Sequence, residues 1–418
     1  MTRVFLAALA LCIGTASLTA QTCVKVGRDC VSLSATEVHL PLREDGHTDL
    51  SVLSQLPNLT KLRVSADFRF KAPIDLSPVA DLKRLTTLTL QDVTAPDLSP
   101  LAQLPALDTL SLHLKTGTQL GPLAELNTLS RLTLSTRDAS DLSPIANLTQ
   151  LRSLNLRSNT WLTDAPVANL INLESLVLAN TGLISVESLR PLTKLRQLQL
   201  FHTPLADIEP LQNLTDMRFL DLSFSKVADL GPLARMTALE TLYIKDIPAP
   251  DLDGLRNAHA LGAVHADGAR LTDISGLADK PALREASLHG TSISNLTPLA
   301  SASALRDLGF NDTQVTDISA LAGITTLRDL KFKHTAVTDI TPLVNLTALT
   351  KLTLPQQPLD LSVLRNHNRI FLMRAPDLPE VDMTPLLDMQ DLNVLIPGDS
   401  RQMIRNRNEI EAFILARK

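Results

Sequence analysis

From residue 85 to residue 349, apolar residues recur in the order L-x-x-L-x-x-L-x-L once every 22 residues. The second anchor of this pattern falls at Leu85, Leu107, Leu129, Leu151, Leu173, Leu195, Met217, Leu239, Leu261, Leu283, Leu305, Leu327 and Leu349, thirteen positions with twelve equal intervals. Within one unit, residues 329–333 alternate: Leu330 and Phe332 point one way, Asp329, Lys331 and Lys333 the other. That alternation predicts a short, half-buried strand. Strands repeated at a fixed interval in one direction lie parallel and side by side. Their leucines then form an interior and their alternate residues an open face. Between strands runs a second motif, D-[LI]-[ST]-P-L-A-x-L, with prolines at Pro78, Pro100, Pro122, Pro144, Pro166, Pro210, Pro232, Pro298 and Pro342. Its Asp offers an acceptor to the first free backbone N–H groups, and its Pro fixes φ where no N–H is needed. About eight residues are available for this return path, enough for a single helical turn, often 3-10, and not for a long helix.

A period in this range with this leucine spacing predicts an α/β solenoid of the leucine-rich-repeat type. The expected shape is a horseshoe with one curved parallel β-sheet on the concave face and short 3-10 or helical turns on the convex face. The 418 residues need not be split into several globular domains, because a solenoid grows by stacking. One unit cannot bury enough apolar surface to offset its ordering entropy, whereas a stack can. Its ends need caps. The expected division is a signal peptide over 1–20, an N-terminal cap over 21–48, the solenoid over 49–396 and a C-terminal capping helix over 397–418. In the first cap Val38, Leu40 and Leu42 alternate. At the far end Asp360 and Asp382 open two irregular units, and Ser400 stands where it can N-cap a helix carrying Ile404, Ile410, Phe413 and Ile414 on one side.

Charge is nearly balanced, with 39 Lys+Arg against 44 Asp+Glu. No basic run points to nucleic acid or to a polybasic membrane contact. Arg3, the apolar run Val4 to Ile13 and the small residues ending at Ala20 read as a secretory signal. The run is too short to span a membrane. Cys23 and Cys30 would remain after its removal, an even pair seven residues apart in an exported chain, and a disulfide is the expected outcome.

The 22-residue unit, with segments such as V-T-D-I-S-A-L-A over 315–322 and V-T-D-I-T-P-L-V-N-L-T-A-L over 337–349, resembles the internalin family of bacterial leucine-rich-repeat proteins. The resemblance spans about residues 49–396. It implies the same architecture and an exported or surface-displayed protein that binds other proteins with its concave sheet. The family's Asn three residues after the last strand leucine, which ties successive turns together, is kept at Asn159. It is replaced by a hydroxyl at Thr181, Thr203, Ser225, Thr291, Thr313 and Thr335.

Three sets of residues invite a chemical reading. The repeated acids Asp75, Asp97, Asp141, Asp207, Asp229, Asp251, Asp273, Asp317 and Asp339 would stack along one edge as calcium ligands could, but turn capping accounts for them without a metal. The lone Trp161 shares a column with Leu183, Leu205 and Val227 and is expected in the core. His265, Asp267 and His289 on adjacent strands could form a metal site or a base pair for hydrolysis. No nucleophile, phosphate-binding loop or H-E-x-x-H motif accompanies them.

Aromatic residues make up only 3% of the chain, so their grouping on the open face is informative. Phe201, Phe219 and Tyr243 are expected to form one patch, bordered by Lys245, His265, Asp267 and His289. An aromatic cluster with a polar rim has the make-up of an interface hot spot. The expected function is therefore an exported, non-enzymatic scaffold, periplasmic or at the bacterial surface, that recognises a protein partner with no cofactor or metal. The alternative is a structural or adhesive envelope component that self-associates or binds glycan.

Overall fold

The computed structural model describes residues 23–26, 29–43, 49–115, 117–136, 141–157 and 165–417. The signal segment, Asn159 and Trp161 lie outside them. One ladder of eighteen strands runs from Glu37–Leu42 to Ile404–Arg405, each strand paired with its neighbours in the chain. All pairings are parallel except the last, where Ile404–Arg405 lies antiparallel to Val394–Pro397. From Lys61–Ala66 to Lys351–Thr353 the strands alternate with 3-10 turns, as the short return path requires. The register across the repeats is the 22-residue one, for example Phe219↔Thr241 and Leu220↔Leu242. Departures sit at the ends: Lys61 pairs with Thr87 and Lys351 with Leu372. The ladder continues through both, because the return path absorbs the difference in length.

The inward leucines form one continuous apolar interior, to which the repeats contribute fully buried side chains such as Leu198 and Leu200. Phe310 and Phe332 stack inside it with ring centroids 5.4 Å apart. The repeated acids serve as turn acceptors. Asp75, Asp207, Asp317 and Asp339 each accept the backbone N–H two residues on, at 2.7–2.9 Å, and Asn295 does the same at 2.9 Å. The side-chain oxygen thus satisfies a donor the short helix leaves free.

The hydroxyl column acts within its own turn. Thr181, Thr203, Thr291, Thr313 and Thr335 are buried, and each donates to the carbonyl three residues earlier at 2.6–2.8 Å. These threonines therefore close their own turn, and the Asn-like tie between units is not what they supply. One residue before this column, the backbone turns left-handed at Asn180, His202, Phe224, Asp246, Gly268, Gly290, Asp312 and His334, with φ between 54° and 70°. The N–H freed there donates to the next repeat just past its strand, as in His202 to Ser223 O and Phe224 to Lys245 O.

At the N-terminus the Cys23–Val26 and Asp29–Ser32 strands form an antiparallel pair joined by the Cys23–Cys30 disulfide. The alternation at Val38, Leu40 and Leu42 becomes the first strand of the main sheet, with those three side chains buried. At the C-terminus the helix is shorter than the 397–418 stretch expected for it. It spans Arg407–Leu415 and is capped by Asn406, whose side chain accepts from the Glu409 N–H. Ser400 is not the cap; its hydroxyl accepts from the Gln402 N–H within the preceding turn. Ile404 lies in the final strand, while Ile410 and Ile414 pack the helix onto the core. Asp399 reaches back to Lys333 at 2.9 Å and to His334 at 3.3 Å.

Candidate functional site on the concave sheet

The outward residues of each strand fall into columns because neighbouring strands keep a fixed register. Phe219 opens its strand, and the pairing sets Tyr243 beside Asp221 and His265 beside Tyr243. Strands about 4.8 Å apart bring such rings into contact. Phe219 and Tyr243 have centroids 5.5 Å apart, and the Tyr243 and His265 rings stack at 4.2 Å with 13° between planes. The three make a continuous ring ladder over three adjacent strands, each ring half-buried against its neighbour. His265 therefore belongs to the stack and is not its border. Burial holds the His265 imidazole below its usual pKa, against the pull of Glu285, so the ring is neutral at pH 7.

Phe201 does not join this ladder. Its partners are Arg157, whose guanidinium lies 5.0 Å over the ring, and the adjacent His202. His202 in turn stacks on Phe224 at 4.2 Å with the ring planes nearly parallel. The single expected patch is thus two ring groups, one on the strands, from Phe219 at a strand start to Tyr243 and His265 at strand ends, and one just past the strand ends. The second is not visible in the alternating pattern, since His202 and Phe224 occupy the left-handed turn. A bulky residue at positive φ is a genuine outlier, and Phe224, at φ 59° and 43% exposed, is one.

Lys245, Asp267 and His289 form a closed polar knot beside the ladder. Lys245 pairs with Asp267 at 3.1 Å. Asp267 also accepts from the Ser287 hydroxyl and, at 3.2 Å, from the His289 N–H. Burial works to raise the Asp267 pKa, but its hydrogen bonds from Ser287 and Lys245 outweigh it and the carboxyl titrates below the usual range. His289 is held below its ordinary value by burial, and its Nδ1 accepts from the Asn311 N–H at 2.9 Å. Its ring lies over Gly309, where a Cβ would come within 2.3 Å of the imidazole. These bonds tie Lys245, Asp267 and His289 to one another and to the neighbouring repeats.

No protein-family model matches the chain, and no curated protein matches it by sequence. Solved structures do. An internalin of Listeria monocytogenes superposes with a TM-score of 0.61 at 23% identity, covering 90% of each chain. A leucine-rich-repeat protein of Leptospira interrogans gives 0.73 at 18% identity, over 81% of this chain and 90% of that one. A plant peptide hormone receptor in complex with RGF2 gives 0.65 at 14% identity, over 91% of this chain and 72% of the receptor. The chain has the leucine-rich-repeat horseshoe fold of the bacterial internalins, and its ring ladder lies on the sheet face of that fold.

Proposed function

We propose that this protein is an exported, non-enzymatic scaffold that binds a protein partner on its concave sheet, anchored on Phe219, Tyr243 and His265. The observation that carries the reading is the ring ladder across three strands, on a face that no other element among the described residues covers. Half-buried, stacked rings are already ordered, so little side-chain entropy is lost when a partner docks on them. Lys245, Asp267 and His289 supply the polar border, and their mutual bonds keep that border rigid. The likeness to an internalin and to a receptor solved with RGF2 bound supports a binding role for this fold. Among the described residues no helix is long and apolar enough to cross a membrane, and the signal-like N-terminus supports export.

The reading is tested by capturing a partner from the native envelope or medium and measuring its affinity for variants. Phe219→Ala and Tyr243→Ala are each expected to weaken it by roughly 1–3 kcal/mol with the fold retained by circular dichroism. Unchanged affinity in both would move the partner site off this face.

A further inference from the structure

We propose that the concave site takes a basic segment of its protein partner: an arginine or lysine seated on Glu285 and Asp307, with flanking apolar residues on Phe219 and Tyr243. The proposal rests on the reading that the concave face is the partner site. It adds the chemistry of what binds there.

The argument is one of unmatched charge. The lysines on the outward positions of this stretch all have carboxylate partners: Lys245 with Asp267 at 3.1 Å, Lys331 with Asp329 at 3.0 Å, Lys333 with Asp399 at 2.9 Å, and Lys351 with Asp329 at 4.0 Å. Two carboxylates have no such match. Glu285 lies 3.7 Å from the His265 ring, which burial keeps neutral. Asp307 has no salt bridge to any lysine or arginine among the described residues. Burial first, then Asp329 and Glu285, push its carboxyl up, and the pull of Lys331 and Lys351 does not prevail against them.

The pairing register sets Ala263, Glu285, Asp307 and Asp329 abreast on successive strands, about 4.8 Å apart. Glu285 reaches toward the end of the ring ladder, its carboxylate 3.7 Å from the His265 ring, with the small Ala263 beside it in the row. A cation seated over this row meets the Glu285 and Asp307 carboxylates, which attract it, while the ring ladder next to them offers its faces to the flanking apolar residues. An acidic segment would meet repulsion at the same place, and an uncharged glycan would leave the surplus charge unused.

The test is selection of a random peptide library displayed on phage against the immobilised full chain, in EDTA so that no divalent cation bridges the carboxylates. Selected peptides are then measured by fluorescence anisotropy against wild type, Tyr243→Ala and the double variant Glu285→Gln/Asp307→Asn. The expected result is enrichment of Arg or Lys beside apolar residues, with about tenfold weaker binding to both variants. Removing a carboxylate that two others crowd should leave the melting temperature unchanged or raise it, so weaker binding of the double variant would not come from unfolding. Neutral or acidic peptides that lose affinity for Tyr243→Ala and not for the double variant would overturn the basic segment while leaving the concave reading in place. Peptides indifferent to both variants would overturn both. Failure to enrich any peptide, with retention of the protein on a glycan array instead, would overturn the peptide ligand in favour of carbohydrate.

Discussion

The four strands from Lys61–Ala66 to Arg131–Thr136 are six or seven residues long, while those from Ser153–Asn155 to Lys351–Thr353 have three. The repeat length is the same in the two regions across this boundary, so it does not set strand length. The difference lies just after the last inward leucine. In most of the later units a left-handed residue is followed by a buried hydroxyl that closes the turn, as at His202 and Thr203. Where Ala269 replaces the hydroxyl, its backbone N–H donates to Ala266 O at 3.1 Å and closes the turn instead. Ile247 stands buried in the same column, between units that close their own turns. In the early units Val93 or Leu114 occupies that stretch, buried, and the strand continues. Asp92 is the informative case. It adopts φ 56° like its later counterparts, but Val93 follows it, and the strand resumes after an irregularity in register. A left-handed residue alone does not end the strand; the run of closed turns is what sets the later region apart.

The largest expected effect that separates the two regions comes from emptying the core of the short-strand part. Phe332→Ala removes a fully buried ring that stacks on Phe310 and should cost about 3–5 kcal/mol. Hydrogen exchange should show the loss in the units around residue 332 and leave the strands before residue 136 protected, since repeats couple chiefly to their neighbours. Uniform loss along the chain would mean that the two regions are a single cooperative unit.

Next in size is the hydroxyl itself. Thr203→Val and Thr335→Val each remove the donor that closes a turn and should cost roughly 1–3 kcal/mol in urea unfolding. Val93→Thr, placed in an early unit, should shorten its strand if turn closure is the cause. Neutral Thr→Val variants would assign strand length to something else.

A smaller effect of opposite sign is expected at Phe224. Asn occupies the same turn position at Asn180, so Phe224→Asn should relieve left-handed strain. The lost stack on His202 offsets part of the gain, leaving about 0.5 kcal/mol of added stability by thermal melting. A clear loss instead would show that the ring pair holds the turn.

The most local effect is one of pH. His367 is fully buried, its Nε2–H donates to Leu343 O at 2.9 Å, and its Nδ1 has no partner among the described residues. Burial therefore lowers its pKa below 6.5, outweighing that hydrogen bond. The unfolded chain takes up a proton first, so the stability is present at neutral pH and lost as the pH falls through about 6.5 and on through the folded value. His367→Gln should flatten the stability profile between about pH 7 and 5; an unaltered profile would assign any acid sensitivity to other groups.

The sheet, the convex turns and the outward columns are legible in the sequence because each follows from residue type at a fixed period. The cysteine pair is legible from parity and spacing. The left-handed column is not, since Asn, His, Phe, Asp and Gly all occupy it and the sign of φ leaves no hydrophobic signature. That is why alternation alone groups Phe201 with Phe219, when its ring contacts lie with Arg157 and His202. The helix cap escapes for a related reason. Asn406 caps from a left-handed φ, and the two-residue strand before it is too short to show alternation. Spacing puts His265 at the border because it gives the column of a residue but not the tilt of its ring.

The tolerance of the ladder to unequal intervals has an evolutionary consequence. A crossover between any two like repeats yields a longer or shorter chain whose strands still meet in register, with both caps unchanged. The aromatic stretch would travel through such an exchange as a cassette, keeping its internal geometry while its distance from either end is reset. Gene duplication can therefore change the reach of this molecule without redesigning what it touches.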